Sequence, residues 1–585
     1  MAGAVPPPNP RMELDMPDMA ELSSPDESSW LARAQPSSHV PAALSRRRFL
    51  AVGGATAGAL GAGYLLAACG SGSSGSGPVG KPSDTLTVGV YQEPDSLDPG
   101  ATGLVVAEFM LDGIFDPLVW WLPTSDGSKQ FYPGLATSYQ VSPDATTYTF
   151  KLRQDVEFHD GTHFDANAVK ATFDHIVNPA TKSRSAIGSL GPYKETRVVD
   201  QYTAQVVFSS PNAAFVHEMT TNLFNMVSPA AINKYGHAGL AAHPVGTGPF
   251  TFQEYVTQDH MTVVANPKYK WGPTAFGPAG PPKLKKITYR ILTDPTARFN
   301  ALQTGQLQLA MNLNPNDIKT VRSTSGLTHY NLPSTGQPYG YPINVTKGPT
   351  NDLKVRQAIN FAVDQDTLNK TVLQGAYQAA HNVLTPTTPG YNKADDSMYA
   401  YNPARAKSLL DSAGWRASGN ATRAKNGQPL ELEILIQSAN GFDLPTQFVV
   451  SQLKAVGIAA KTTSQPFVTA AASYNQGVQN LSAIFYYDVD PYLLNNLVNS
   501  QNIKAGFNWA HYTNPAVDAA IPKANGTADE ASRTAQWQQI THTLMQDAIF
   551  LPLWNVSGVF SATSNLKGMH FGVTGYPFFH SAALT

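Results

Sequence analysis

The chain has 585 residues, and its 40 lysines and arginines against 42 aspartates and glutamates leave a formal net charge of −2, which gives no electrostatic footprint for a nucleic-acid binder. Hydrophobic residues at 42% exclude a disordered protein, while 14% charged residues, 46 glycines and 44 prolines predict a loop-rich globular protein of short elements. The single cysteine, Cys69, excludes an internal disulfide, a cysteine-rich zinc site or an iron–sulfur cluster held by this chain alone.

Residues 1–44 hold eight prolines and little apolar periodicity, and read as a disordered extension in which Met12, Met16 and Met19 are alternative starts. Residues 45–69 follow as Ser45-Arg46-Arg47-Arg48-Phe49-Leu50, a Gly/Ala-rich apolar stretch and Leu66-Ala67-Ala68-Cys69: a basic region, an apolar core and a small-residue cleavage site, the layout of an export signal. The string around Arg46 and Arg47 resembles a twin-arginine signal. Leu-Ala-Ala-Cys resembles the lipobox of bacterial lipoproteins, which implies lipidation of Cys69. The alternative is an uncleaved membrane anchor, weakened by five glycines in the stretch. Either way Arg46 to Arg48 stay inside, and the rest works on the outer face of a bacterial cytoplasmic membrane.

Residues 70–83 read as a flexible Gly/Ser tether. Its Gly70-x-Gly72-x-x-Gly75 and Gly75-to-Lys81 spacings imitate nucleotide motifs, but no strand precedes them and Pro82 stands where a P-loop needs Ser or Thr. Beyond the tether, strands are predicted at 85–91, 147–153, 203–208, 286–292 and 430–436, alternating with helices. Asp165 opens one helix with Val169, Phe173, Ile176 and Val177 on a face. Asp294-Pro295 opens another that Gly305 closes, and Asn402-Pro403 a third that Gly414 closes. The class is α/β.

No catalytic or metal-binding pattern emerges. His159 and His163 read as a hydrogen-bonding corner, His217-Glu218 lacks the second histidine of a zinc-protease helix, and no nucleophile–base pair stands out. The expectation is a binding protein rather than an enzyme, with no cofactor, no metal site and no nucleic-acid partner. Gly246 and Gly248, in a turn bounded by Pro244 and Pro249, are expected at positive φ.

A series of blocks runs in order from about residue 84 to 555: Ser96-Leu97-Asp98-Pro99, Pro133-Gly134-Leu135-Ala136-Thr137-Ser138, Phe158-His159-Asp160-Gly161-Thr162, Pro244 to Phe250, Asn266-Pro267-Lys268-Tyr269, Val355-Arg356-Gln357-Ala358-Ile359 and Ala404 to Trp415. Together they resemble the family 5 extracellular solute-binding proteins of ABC importers, the group of oligopeptide, dipeptide and nickel-chelate binders. The resemblance implies a two-lobed periplasmic-binding-protein type II fold, with a hinge and a subdomain inserted in the first lobe. Lobe I would comprise 84–112, 198–338 and 552–585, the insert 113–197 and lobe II 339–551. It also implies a receptor that closes around a small solute, a peptide being favoured, and delivers it to a membrane permease.

In peptide-binding members a carboxylate, in a motif resembling Asp-Tyr-x-Asp/Glu-Pro, pairs with the peptide's ammonium. Here the segment reads Phe485-Tyr486-Tyr487-Asp488-Val489-Asp490-Pro491, so Tyr487 takes the expected position and Asp488 comes one residue late. Either a loop deletion lets Asp488 do the same work, or the amine anchor is absent and the solute lacks a free N-terminus. Asp490 is expected to cap the helix that Pro491 begins. Tyr486, Tyr487 and Trp509 are candidate cleft residues from lobe II; Tyr91, at the end of the first strand, is the lobe I candidate; Gln337, Tyr339 and Tyr341 flank the expected crossing. Neutral oligosaccharides and metal chelates remain alternative solutes, and a sensor uncoupled from transport an alternative role.

Overall fold

The computed structural model describes residues 83–124, 129–278, 280–417, 422–438, 441–504 and 506–585. The export signal with Arg46, Arg47 and Cys69, and the tether as far as residue 82, lie outside the described residues.

Strand Thr85–Val90 runs through the middle of a seven-stranded sheet, parallel to both of its neighbours, Lys286–Ile291 and Leu309–Met311. Val88, Gly89 and Val90 are all buried, as a strand covered on both faces requires. His260–Ala265 and Phe250–Val256 extend one edge; Ser557–Thr563 and Leu327–Pro333 extend the other. The helix Val105–Leu111 buries Val106, Ala107, Phe109, Met110 and Leu111 in this lobe and leaves one acid, Glu108, partly accessible.

The insert is a four-stranded antiparallel sheet in the order Ala136–Val141, Thr147–Leu152, Thr203–Phe208, Tyr193–Asp200. The helix Ala166–Val177 packs on it through Val169, Phe173 and Ile176, and the Asp165 side chain accepts hydrogen bonds from the amides of Asn167 and Ala168. The expected boundary at 197/198 therefore falls inside a strand, and the insert's sheet runs to Phe208. Alternation marks 203–208 as a strand, but only its pairing with Thr147–Leu152 says which sheet it joins.

The second lobe has a parallel sheet of Glu431–Gln437 between Ala459–Gln465 and Leu481–Ser482, and a second sheet ordered Ile484–Tyr487, Gly336–Pro342, Phe550–Trp554. Helices Pro295–Gln303 and Pro403–Ser412 start as expected, with Asp294 accepting from the Ala297 amide and Asn402 from the Arg405 amide. Gly305 and Gly414 lie just past their ends at positive φ.

The chain crosses between lobes twice, side by side. Leu327–Pro333 pairs with Ser557–Thr563 in the first lobe, and three residues on Gly336–Pro342 pairs with Phe550–Trp554 in the second. The crossings are thus Ser334-Thr335 and Asn555-Val556, joined by a hydrogen bond from the Ser334 amide to the Val556 carbonyl at 3.0 Å. Both come a few residues closer to the first lobe than the expected 338/339 and 551/552. Gly336 sits beside the crossing at φ +127°, where an added Cβ would lie 2.1 Å from the Tyr486 carbonyl oxygen.

Gly246 and Gly248 do not adopt the positive φ expected of them. Their reason is close approach: a Cβ would stand 2.2 Å from the Ile114 carbonyl oxygen at Gly246 and 2.5 Å from that of Gly113 at Gly248. The turn is pinned by Asp116, fully buried, which accepts from Thr247 Oγ1 and Tyr269 Oη at 2.9 Å and from Trp271 Nε1 at 3.1 Å.

Candidate functional site

The Ser96-Leu97-Asp98-Pro99 block is structural. The Asp98 carboxylate accepts the Gly100 amide at 2.9 Å and lies 2.7 Å from Nε2 of His175 in the insert, locking the turn that follows the first strand. Tyr91, at the end of that strand, is left half-buried with burial raising its phenol pKa. His159 Nε2 lies 2.9 Å from the Gly248 carbonyl, and among the described residues no group of three or more His, Cys, Asp or Glu side chains is placed to hold a metal.

Across the hinge, Tyr339 is sandwiched between Phe485 at 4.2 Å and Trp554 at 4.6 Å, ring centroid to centroid. That packing fixes the ring, and its hydroxyl pairs with that of Tyr487. Burial is the main cause that raises the phenol pKa of Tyr487, and the Tyr91 and Tyr377 hydroxyls add to it. Tyr576, from the C-terminal segment of the first lobe, feels Tyr487, Tyr91, Glu108 and Tyr339 in turn. A cluster of tyrosine hydroxyls from both lobes therefore faces one space.

Beside it lies a second cluster, of carboxyl groups. Asp488 Oδ1 accepts the Asp490 amide at 3.0 Å, and the side chain shares a hydrogen bond with Glu218 of the insert. Burial pushes both acids up, Asp488 to about 6 and Glu218 well above its usual range; the pairing lowers Asp488 and raises Glu218, so the proton they share sits on Glu218. Glu108, from the first lobe, is pushed up to about 8 by burial and then by the charges of Asp112, Asp95 and Asp488. Asp112, one turn on, is pushed up to about 7 by burial while Asn222 Nδ2 donates to it at 2.6 Å. Tyr486, pushed up to about 12 by burial, stands on the same side as Asp488 with its ring 5.6 Å from Phe507.

Three of the expected cleft residues are elsewhere. Tyr341 is 0% exposed in the second lobe's core, its hydroxyl 2.5 Å from Thr446 Oγ1. Trp509 is 1% exposed and donates from Nε1 to Asn475 Oδ1 at 2.9 Å. Gln337, 4% exposed, lines a small apolar cavity within the second lobe beside Leu494, Leu497 and Phe550. The β-bulge between Gln337 and Gly340 interrupts the alternation from which their facing was read. Tyr91, Tyr339, Tyr486, Tyr487 and Asp488 do come together. Sequence reasoning missed Glu108, Glu218, Tyr377 and Tyr576; the lone acid in the helix VVAEFML was the one local signal available.

The lobes touch around this space. Trp121 of the insert packs with Val489 of the second lobe and Val573 of the first. Lys129 lies 4.5 Å over the Trp121 ring and donates to the Thr387 carbonyl of the second lobe, with burial pushing its pKa down to about 7. The amides of Ala213 and Ala214 donate to Asn525, at 2.7 Å to its carbonyl and 3.0 Å to its Oδ1. Asp490 caps as expected, accepting the Tyr492 amide at 2.8 Å, and also binds Arg533 and His217.

A two-lobed α/β fold around a polar cleft is the architecture of a solute receptor. The sequence model for "Bacterial extracellular solute-binding proteins, family 5 Middle" matches residues 130–505, and the chain belongs to that family, the solute-binding proteins of ABC importers. The chain is 30% identical over 467 residues to the glutathione-binding protein GsiB of Shigella dysenteriae, covering 75% of this chain and 86% of that one. It is 29% identical over 465 residues to GsiB of Pectobacterium atrosepticum, covering 76% and 86%. Among solved structures, NikA from Brucella suis in complex with Fe(III)-EDTA superposes with a TM-score of 0.75 at 26% identity, over 86% of this chain and all of that one. DppA from Helicobacter pylori in complex with the peptide STSA shares the fold, with a TM-score of 0.68 at 24% identity over 86% and 98%. The protein is thus a binding protein that works outside the cytoplasm.

Proposed function

We propose that the protein is a lipid-anchored importer receptor for peptide-class solutes, and that Asp488 anchors the solute's free ammonium. The observation that carries this reading is the Asp488–Glu218 pair, a carboxylate and a carboxylic acid sharing one proton at the point where the insert meets the second lobe. An incoming ammonium replaces that proton, so both acids ionise against a cation instead of against each other. The tyrosine hydroxyls supply donors and acceptors for a peptide backbone, and their rings exclude water. The GsiB relatives are named for glutathione, itself a tripeptide with a free ammonium.

Closure follows from the hinge. A solute held by Asp488 and the tyrosines of both lobes makes all its contacts only when the lobes meet, so binding shifts the population to the closed form that a permease recognises. Lipid on Cys69, after export through the signal at Arg46 and Arg47, would keep the receptor at the membrane, each buried methylene contributing ~0.8 kcal/mol. Thermal unfolding screened against short peptides, neutral oligosaccharides and metal chelates tests the solute class. Peptides should raise Tm, since a hundredfold excess over Kd stabilises by ~2.7 kcal/mol; a response to saccharides or chelates alone would refute the assignment. Metabolic labelling with a radioactive fatty acid in wild type and Cys69→Ser tests the anchor, and label retained by the variant would overturn it.

A further inference from the structure

The amine-anchor reading uses Asp488 and Glu218 and leaves Glu108 unexplained. Glu108 is the one polar residue in the helix Val105–Leu111, which the apolar residues around it bury against the first lobe. Its carboxyl makes no hydrogen bond and no ion pair among the described residues, and the charges acting on it, Asp112, Asp95 and Asp488, are all acids. Tyr576, only 8% exposed, directs into the same space a hydroxyl that also has no hydrogen-bond partner among the described residues. A desolvated acid and a buried phenol left open to one cleft are complementary to a single missing group, a hydrogen-bonding cation. The ammonium held at Asp488 cannot be that group, because the proton shared with Glu218 already marks its place.

We propose that the cleft selects solutes with two positive charges, one ammonium held by Asp488 and Glu218 from the second lobe and insert, the other by Glu108 from the first lobe. This deepens the amine-anchor reading and rests on it. The solute class is a short peptide whose first residue has a basic side chain, or a simple diamine. The rings of Tyr91, Tyr339 and Tyr487 line the space between the two anions and can receive an alkylammonium on their faces. Because the two anionic positions stand on opposite lobes, a dication bridges them, and the second charge contributes to closure as well as to affinity. A solute bringing a carboxylate to Glu108 is repelled.

The test is calorimetric titration of the full-length protein with lysyl-glycyl-glycine, its neutral counterpart norleucyl-glycyl-glycine, and 1,5-diaminopentane, in wild type and Glu108→Gln. The lysyl peptide should bind wild type about tenfold more tightly than the norleucyl peptide, and the gap should shrink to under about threefold in Glu108→Gln. Equal affinities in wild type overturn the proposal whether or not the variant folds, as does a gap that survives in the variant. If neither peptide binds but the diamine does, with Glu108 required, the two-charge site stands and the peptide reading fails. If none of the three binds, both fail.

Discussion

His217 of the insert and Asp490 of the second lobe meet with Nδ1 2.8 Å from Oδ2, both side chains buried. Arg533 binds the same carboxylate through both ends of its guanidinium, at 2.8 and 2.6 Å. Burial alone would raise the Asp490 pKa; Arg533 and His217 instead hold it well below the usual carboxylate range. One carboxylate thus serves as a helix cap, as half of a buried ion pair and as a tie between lobes.

Removing the guanidinium leaves Asp490 buried with only His217 for compensation. Arg533→Met is expected to lower unfolding free energy by about 3–5 kcal/mol, the usual cost of orphaning one partner of a buried pair. Denaturant titration reads it, and a loss below about 1 kcal/mol would mean that water reaches the carboxylate.

His217→Ala leaves the second lobe's own ion pair intact and cuts the tie to the insert. Solute affinity should fall about tenfold, mostly through a faster off-rate, because the closed form loses a contact that the open form never makes. Stopped-flow release of bound peptide measures it; an unchanged off-rate would show that the tie does not favour closure.

At Gly336 the backbone has φ +127° and no room for a methyl group. Gly336→Ala should cost roughly 1–3 kcal/mol from backbone strain, and more from the displaced Tyr486 carbonyl. Thermal unfolding reads the loss, and a wild-type Tm would contradict the crossing's geometry.

The cleft acids set a pH dependence. Glu108, Asp112 and Asp488 rise to about 8, 7 and 6 on folding, from usual values near 4. A group whose folded pKa is raised favours the folded state below its unfolded pKa and loses that contribution as pH climbs through the folded one, by up to about 1.4 kcal/mol per pH unit per group. The solute-free protein should therefore lose stability between about pH 4.5 and pH 8. Affinity for an ammonium solute should move the other way, rising over the same window as carboxylates ionise and protons leave on binding. Calorimetry in buffers of different ionisation enthalpy counts those protons; no release near neutral pH would remove the shared-proton account.

Much of the fold was legible because its signals are local. Asp165, Asp294 and Asn402 cap helices through side chains one to three residues from the amides they satisfy, and the core strands carry their own apolar pattern. The cleft is not local. Tyr91, Glu108, Glu218, Tyr377, Asp488 and Tyr576 come from six separate segments, and only folding brings them together. Aromatic residues near the crossing were ambiguous for a physical reason, since Tyr341 and Trp509 satisfy their polar atoms inside the core as readily as Tyr339 and Tyr487 do in the cleft. Gly246 and Gly248 were read as glycines in the right place for the wrong cause, since backbone crowding leaves no trace in a single sequence.

The central claim is that Asp488 receives the solute's ammonium. Titration of wild type and Asp488→Asn with one tripeptide and its N-acetylated form tests it most directly. Wild type should bind the free amine and lose about a hundredfold or more on acetylation, and Asp488→Asn should lose a similar amount for the free amine with little left for acetylation to remove. Equal binding of the two peptides by wild type, or full affinity retained by Asp488→Asn, would contradict it.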